Sequence, residues 1–260
     1  KARFGGNIKF FVSGGAPLSK ELAEFFAAVD ITILEGYGLT ETSPVLTVNS
    51  PTALKFGYVG KPLFNVKIKI ASDGEILAKG PNIMTGYYKN EDATKEVFDS
   101  EGWFKTGDIG HLDEDNFLKI TDRKKSLIVT SAGKNIAPAP IEVKLTSSLY
   151  IEQVHIIGDR RNYLTALIVP NIDSIKSYLS KININISDIN SIIENEEVIS
   201  LFTKEIDTAM VDFARFEKVK KFTLITEPFS IEKGEMTPKM SIVRKVVENN
   251  YSEIINGMYN

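Results

Sequence analysis

Three short segments combine glycine with polar side chains in a way suited to holding a nucleotide. Ser13-Gly14-Gly15-Ala16-Pro17-Leu18 runs into a helix-like stretch, and the free N–H groups at a helix start favour a polar or anionic ligand. Glycines at such a turn also serve backbone geometry alone. In Glu35-Gly36-Tyr37-Gly38-Leu39-Thr40-Glu41, two glycines permit close approach of a flat ligand and Tyr37 offers a stacking face between them. Thr40 adds a hydroxyl for a phosphate, and Glu41 a hard oxygen for Mg²⁺. A tight turn around a core tyrosine is the competing reading. The third segment, Trp103-Phe104-Lys105-Thr106-Gly107-Asp108, ends in a carboxylate that can accept hydrogen bonds from paired ribose hydroxyls, as acidic residues do in dinucleotide sites. An Asp capping a turn is equally compatible with it.

These segments need elements to position them. Ile8 to Val12 is an apolar run closed by Ser13-Gly14-Gly15, the pattern of a buried strand and turn. Ser19 precedes the apolar-periodic Leu22, Phe25, Phe26 and Val29, with Glu21 in the first turn, which predicts a capped helix. Ile31 to Leu34 predicts a second strand ending at Gly36-Tyr37-Gly38. One β/α unit results. From Val45 to about Ile120, alternating runs such as Val66–Ile70 and Glu75–Ala78, separated by Asp73-Gly74 and Lys79-Gly80-Pro81, predict a small antiparallel sheet or barrel, interrupted by a helix over Glu91 to Phe98.

Beyond the charged break Asp122-Arg123-Lys124-Lys125-Ser126, the sequence predicts a strand (Leu127 to Thr130), a turn at Ser131-Ala132-Gly133 and a helix near Ile141 to Leu149. Strands around Val154–Ile157 and Leu164–Val169 follow. A long helix carries Val198, Phe202, Ile206, Met210, Phe213 and Phe216 on one stripe, and a last helical pattern spans Ile242 to Ile254. Lys181 to Asn195, rich in Ile, Asn and Ser, is expected to be a mobile surface connection. The fold class expected is therefore α/β and α+β: the end of a large α/β domain (1–122, its β/α unit 1–44 and β-subdomain 45–122), a hinge at 123–126, and a small mobile α+β domain at 127–260.

Composition removes other classes of function. The 260 residues contain no cysteine and two histidines, which excludes disulfide scaffolds, thiolate metal sites and a cysteine nucleophile. His111 is expected to be a surface or half-buried histidine, and His155, in an apolar strand, a structural one. With 31 basic and 34 acidic residues the net charge is −3, so no broad attraction to nucleic acid or anionic lipid is expected. Hydrophobic residues at 43% supply a real core, and no run approaches the ~18 apolar residues of a membrane span. The chain opens without a methionine or an apolar leader, and we expect it to begin inside a larger protein. A cytoplasmic location is expected.

The order and spacing of SGGAPL, GYGLTET, FKTGD and TDRKKSLIVTSAGKNIAP resemble the adenylate-forming superfamily of acyl- and aryl-CoA synthetases, luciferase-like enzymes and peptide-synthetase adenylation domains. GYGLTETSP, GEILAKGPNIMTGYY and SEGWFKTGDIG look most like the long-chain fatty acid–CoA ligases, and the resemblance runs from about Ile8 to about Tyr251. It implies a two-step reaction: a fatty acid carboxylate and Mg·ATP give acyl-AMP, and a CoA thiol then displaces AMP. The partners implied are fatty acid, ATP and CoA, with membrane contact through the acyl substrate. By the same resemblance, Gly15 and Ala16 lie beside the adenine and acyl pocket, and Gly36, Tyr37 and Gly38 pack on adenine. Thr40 bonds the α-phosphate, Glu41 holds Mg²⁺, Asp108 binds the ribose, and Arg123 contacts ribose or phosphate. Lys125 marks the hinge, and the loop at Gly133 lines the pantetheine tunnel.

Two departures from the family pattern stand out. The lysine-bearing phosphate loop lies upstream of SGGAPL in the family, so this stretch alone is not expected to complete the reaction. In Thr237-Pro238-Lys239-Met240-Ser241-Ile242-Val243-Arg244, serine stands where the family's adenylation lysine belongs. Lys239 shares a face with Ser241 if the segment is extended, and Lys245 does so if it is helical; Lys239 is the catalytic candidate. A ligase that passes its acyl group to a carrier protein, and a non-catalytic AMP-binding scaffold, are the alternatives.

Overall fold

The computed structural model describes residues 2–260, which divide into two compact units, one ending at Ser126 and the other spanning Leu127–Asn260.

The first unit starts with β1 (Phe11–Ser13), α1 (Lys20–Ala28), β2 (Ile33–Gly38), β3 (Val45–Val48) and β4 (Lys61–Pro62). β1 and β2 are parallel, with Ser13 opposite Glu35, as a helical crossover requires. β3 returns antiparallel on β2, β4 antiparallel on β3, and the sheet order is β1-β2-β3-β4. Ser19 caps α1, its side chain accepting from the Leu22 amide at 3.0 Å. Next come β5 (Lys67–Ile70), β6 (Glu75–Lys79), α2 (Glu91–Val97), β7 (Phe104–Leu112) and β8 (Leu118–Arg123). The four strands form an antiparallel meander, β5-β6-β7-β8. Tyr37 and Leu46 from the first sheet pack with Ile76, Ala78 and Leu118 from the second. Trp103, the chain's one tryptophan, lies beneath the Lys69 and Lys79 ammonium groups, 4.6 and 5.9 Å from its ring.

Two expectations for this unit need correction. The Gly36-Tyr37-Gly38 triplet belongs to β2 itself rather than to a loop after it. The stretch expected as a buried strand is also largely open: Val12 is 68% exposed and Phe10 41%. Of α1, only Ala23 is buried, while Leu22, Phe25 and Val29 face outward. The apolar period is present, but no layer among the described residues covers that face.

The second unit contains β9 (Ile128–Val129), β10 (Asn135–Ile136), α3 (Pro138–Leu145), β11 (Ile151–Ile157), β12 (Leu164–Pro170), α4 (Ile172–Lys181), α5 (Ile189–Ile193), α6 (Glu196–Ala209), β13 (Val219–Leu224), α7 (Arg244–Asn250) and α8 (Ser252–Gly257). Its main sheet is β11-β12-β13, with β12 antiparallel to β11 and parallel to β13. β12 is buried along its whole length. Ala166 and Ile168 enter one core with Ile141, Ile175, Phe202 and Ile206. Leu167 and Val169 enter the other, with Phe229, Val247 and Ile255. The period of two thus feeds two helical layers, and a near-continuous apolar run is what such a central strand needs.

Several boundaries differ from expectation. α3 begins at Pro138, whose missing N–H costs nothing in a first turn, and ends at Leu145. α6 stops at Ala209, so Phe213 and Phe216 lie beyond it. α4 and β13 have no counterpart in the sequence reading. The Lys181–Asn195 stretch is ordered rather than a mobile connection: Asp188 caps α5 by accepting from the Ser191 amide at 2.8 Å, and Ile192 is fully buried. Its isoleucines do the packing, and the intervening Asn, Asp and Ser residues are caps that hide the pattern. No helix among the described residues is long and apolar enough to cross a membrane.

Candidate nucleotide site

Parallel pairing of β1 and β2 puts the Gly14–Ala16 loop and the Gly36–Gly38 end of β2 at the same carboxyl edge, where open α/β sheets take ligands. They touch closely: a Cβ on Gly14 would lie 3.3 Å from the Gly36 carbonyl oxygen. Gly15, at φ +81°, is exposed with open space around its Cα, and Ala16 is exposed beside it. Gly36 and Gly38 differ. A Cβ on Gly36 would meet only ordinary contacts at 3.4 Å and beyond, whereas one on Gly38 would sit 1.7 Å from the Pro44 carbonyl oxygen. Gly38 is thus demanded by the β2–β3 return, and Gly36 is the one free to serve a ligand.

Tyr37 links this edge to the second sheet. Its ring is 9% exposed in the core, and its hydroxyl donates to Asp108 Oδ2 at 2.6 Å. The stacking face expected of it is mostly covered, and its polar end holds the expected ribose carboxylate. Burial and the neighbouring Asp108 charge push the Tyr37 phenol up, so it stays protonated as the donor. Burial also pushes the Asp108 carboxyl up, opposed by the Tyr37 hydrogen bond and by Arg123. Asp108 is 4% exposed. Arg123 sits opposite it in the β7–β8 register, with Nε 3.2 Å from Asp108 Oδ1. The guanidinium is open to solvent, so the pair presents one buried acceptor and one accessible cation.

Thr40 and Glu41 start a short 3₁₀ turn after β2. Thr40 is exposed. Glu41 Oε1 accepts from the Tyr87 hydroxyl at 3.0 Å, and its backbone oxygen accepts from the Met84 amide at 2.8 Å. Among the described residues no group of three or more acidic or histidine side chains is placed to cage a metal. A lone carboxylate still fits Mg²⁺, which keeps several waters and commonly takes one or two carboxylates plus substrate phosphates. Tyr87 is a holding residue that no local spacing in the sequence marks, its partner lying 46 residues away.

A further carboxylate, Glu35, is 8% exposed on β2. Burial raises its carboxyl to about 7, partly opposed by a hydrogen bond from the Gly57 backbone.

The remaining candidates lie elsewhere. Lys125 is exposed in the 3₁₀ turn Lys124–Ser126 and makes no hydrogen bond or ion pair among the described residues. In the second unit, Gly133 (φ +72°) tops the β9–β10 turn, where its amide donates to Thr130 at 2.9 Å. Residues 237–241 are neither extended nor helical, which removes the shared-face argument for both Lys239 and Lys245. They form a tight turn: the Thr237 amide donates to the Ser241 oxygen and the Met240 amide to the Thr237 oxygen, both at 2.8 Å, with Met240 at φ +61°. Lys239 occupies the exposed tip, and Lys245 falls on α7. The turn leads into Arg244, whose Nη1 donates to Glu142 Oε1 at 2.8 Å and whose Nη2 donates to the Ile156 oxygen. Beside them His155 is fully buried, Nε2 3.3 Å from Glu248 and Nδ1 3.8 Å from Glu142. Burial lowers the imidazole below its ordinary value.

A glycine-lined carboxyl edge, a buried carboxylate and a small α+β unit are in keeping with an AMP-binding enzyme. Residues 1–88 match the AMP-binding enzyme family and residues 125–260 its C-terminal domain, and the chain belongs to that family. It is 38% identical over 261 residues to the long-chain-fatty-acid–CoA ligase FadD15 of Mycobacterium bovis, covering 100% of this chain and 43% of that protein. The A domain of a carboxylic acid reductase from Segniliparus rugosus, solved with AMP and a co-purified carboxylic acid, is 26% identical with a TM-score of 0.76, over 96% of this chain and 39% of that one. O-succinylbenzoate Coenzyme A synthetase from Bacillus subtilis, solved with ATP and magnesium, is 28% identical with a TM-score of 0.69, over 92% of this chain and 46% of that one. The chain therefore spans less than half the length of the proteins it matches.

Proposed function

We propose that the chain is the C-terminal portion of a long-chain fatty acid–CoA ligase, cytoplasmic in location, using ATP, Mg²⁺ and CoA. The observation that carries this is the meeting of the Gly14–Ala16 loop, the Gly36 backbone and the Tyr37–Asp108–Arg123 chain in one unit. Together they offer a flat backbone surface for adenine and a buried acceptor for ribose hydroxyls. In the first half-reaction a fatty acid carboxylate oxygen attacks the α-phosphorus of ATP, and pyrophosphate leaves. The Thr40 hydroxyl donates to the α-phosphate and Arg123 faces ribose or phosphate; such aimed groups lower the barrier as charge shifts among the oxygens. Glu41 would hold Mg²⁺, which would supply further charge neutralisation there. In the second half-reaction the CoA sulfur attacks the acyl carbonyl carbon and AMP departs. In this reading the second unit pivots at 123–126, centred on Lys125. It brings the Lys239 tip to the phosphate for the first step and the Gly133 loop to the pantetheine arm for the second.

ATP–pyrophosphate exchange by the complete protein with a long-chain fatty acid tests the reading. Exchange absent from both the unaltered protein and a Ser241→Lys variant, each folded, would overturn it in favour of a scaffold. Acyl transfer to a carrier protein but not to free CoA would replace the acceptor. For Lys239, an exposed turn cation close to the serine, we expect Lys239→Ala to slow adenylation at least tenfold. Thioester formation from preformed acyl-AMP should change far less.

A further inference from the structure

Resting on that reading, we propose that Glu75 is a positioning residue that ties the turn before Asp108 to the chain just before the pivot. Glu75 opens β6 and is 6% exposed. Oε1 accepts from the Gly107 amide at 3.0 Å, and Oε2 accepts from Lys124 Nζ at 2.8 Å. Lys124 Nζ also donates to Asp73 Oδ2 at 2.6 Å, and Asp73 Oδ1 in turn accepts the Glu75 amide at 3.1 Å. One carboxylate therefore serves two masters. Gly107 has φ +72°, a conformation glycine adopts without steric cost but does not keep by itself, and it immediately precedes Asp108. Lys124 immediately precedes Lys125.

A second anchor lies next to the first. Arg123 is tied to Asp108 by its side chain and by strand register. With residues 123 and 124 both fixed to the first unit, the φ/ψ change of a pivot is confined to Lys125 and Ser126, since hinges are the few terminal positions free to absorb it. The same geometry couples ligand to pivot. A nucleotide that orders the Asp108 turn orders Gly107, hence Glu75, hence Lys124. Hydrogen bonds to charged groups are the stronger kind, and a buried carboxylate losing one partner is left unsatisfied.

The experiment reads trypsin cleavage after Lys125, scored by mass as the fragment beginning at Ser126, in the complete protein with and without AMP. Glu75→Ala is expected to raise that cleavage roughly tenfold and to weaken AMP binding by a similar factor. Lys124→Met, which also loses the Asp73 partner, is expected to raise cleavage at least as much while weakening AMP binding less than Glu75→Ala does, because Glu75 still holds Gly107. Lys124→Arg should restore protection. The Glu75→Ala/Lys124→Met double variant should cleave no faster than Lys124→Met alone, since that change already removes both the Glu75 and the Asp73 links. Unchanged cleavage in Lys124→Met, or an additive double variant, would overturn the proposal. Should Glu75→Ala not fold, Glu75→Gln and Lys124→Met decide the cleavage arm, unchanged cleavage again counting against it. An unaltered protein that binds no AMP would instead count against the ligase reading, and the cleavage arm would still decide the clamp.

Discussion

Tyr37 places a protonated phenol against a buried carboxylate, and that sets how Asp108 responds to pH. The hydrogen bond works against the burial that raises Asp108. Tyr37→Phe removes the donor, so the Asp108 carboxyl should rise further and the acid limb of AMP binding should move to higher pH. Stability should fall by about 1–3 kcal/mol for the orphaned acceptor. An AMP titration across pH, paired with a melt, reads both. Glu35 offers a separate test. A carboxylate raised from 4.5 to about 7 means that the folded form holds a proton the unfolded form has lost. Stability is then full below about 4.5 and declines as pH rises toward 7. Glu35→Gln should therefore melt higher than the unaltered protein at pH 8, by up to roughly 3 kcal/mol, and equal it near pH 4.5. At this scale the sequence singles out Asp108 and Arg123 by type, and the structure brings the two together; Thr40 and Glu41 are singled out the same way, with roles that rest on the proposal. Glu75, Tyr87 and Glu142 were not, because their partners lie dozens of residues away and no local spacing marks them.

At the scale of elements, the glycines of β2 separate two reasons for being small. Gly38→Ala puts a methyl into the Pro44 carbonyl and should leave the first unit unable to close β2 on β3, read as loss of soluble folded protein. Gly36→Ala meets only ordinary contacts and should fold with a melting temperature within a few degrees of the parent, yet bind AMP about tenfold more weakly. A Gly36→Ala variant with unchanged affinity would remove that backbone from the nucleotide surface. Periodicity located β1, α1, β2, β5 and β6 to within a few residues, because each has its own apolar repeat and punctuation, and gave β7 and β8 only as part of an antiparallel sheet. It missed α4 and β13. β13 carries Lys220 and Lys221 and borrows its place from pairing with β12, while the mean polarity of α4 hides two buried positions, Ile175 and Leu179. Tertiary burial, not local propensity, decides such segments.

Across the whole molecule, the two units carry opposite pH responses. The first holds carboxyls raised by burial, Glu35 and Asp108, and gains stability as pH falls. The second holds His155, lowered from 6.5 by burial; its folded form resists the proton, so stability is lost as pH drops below about 6.5. Between pH 7.5 and 5.5 the first unit's melting temperature is expected to rise and the second's to fall, and parallel movement would refute that assignment. The division at Ser126 was visible as a charged break in the sequence, whereas the uncovered apolar side chains of α1 and β1 were not, since periodicity says which face is apolar and nothing about what covers it. Separating the two melts requires a probe that sees one half only. The indole of Trp103, wedged under two lysine ammonium groups, is such a probe. Selective excitation reports the first half, while the five tyrosines after residue 127 leave the other half dark at that wavelength, so one cuvette and a circular-dichroism trace can tell the halves apart without any label.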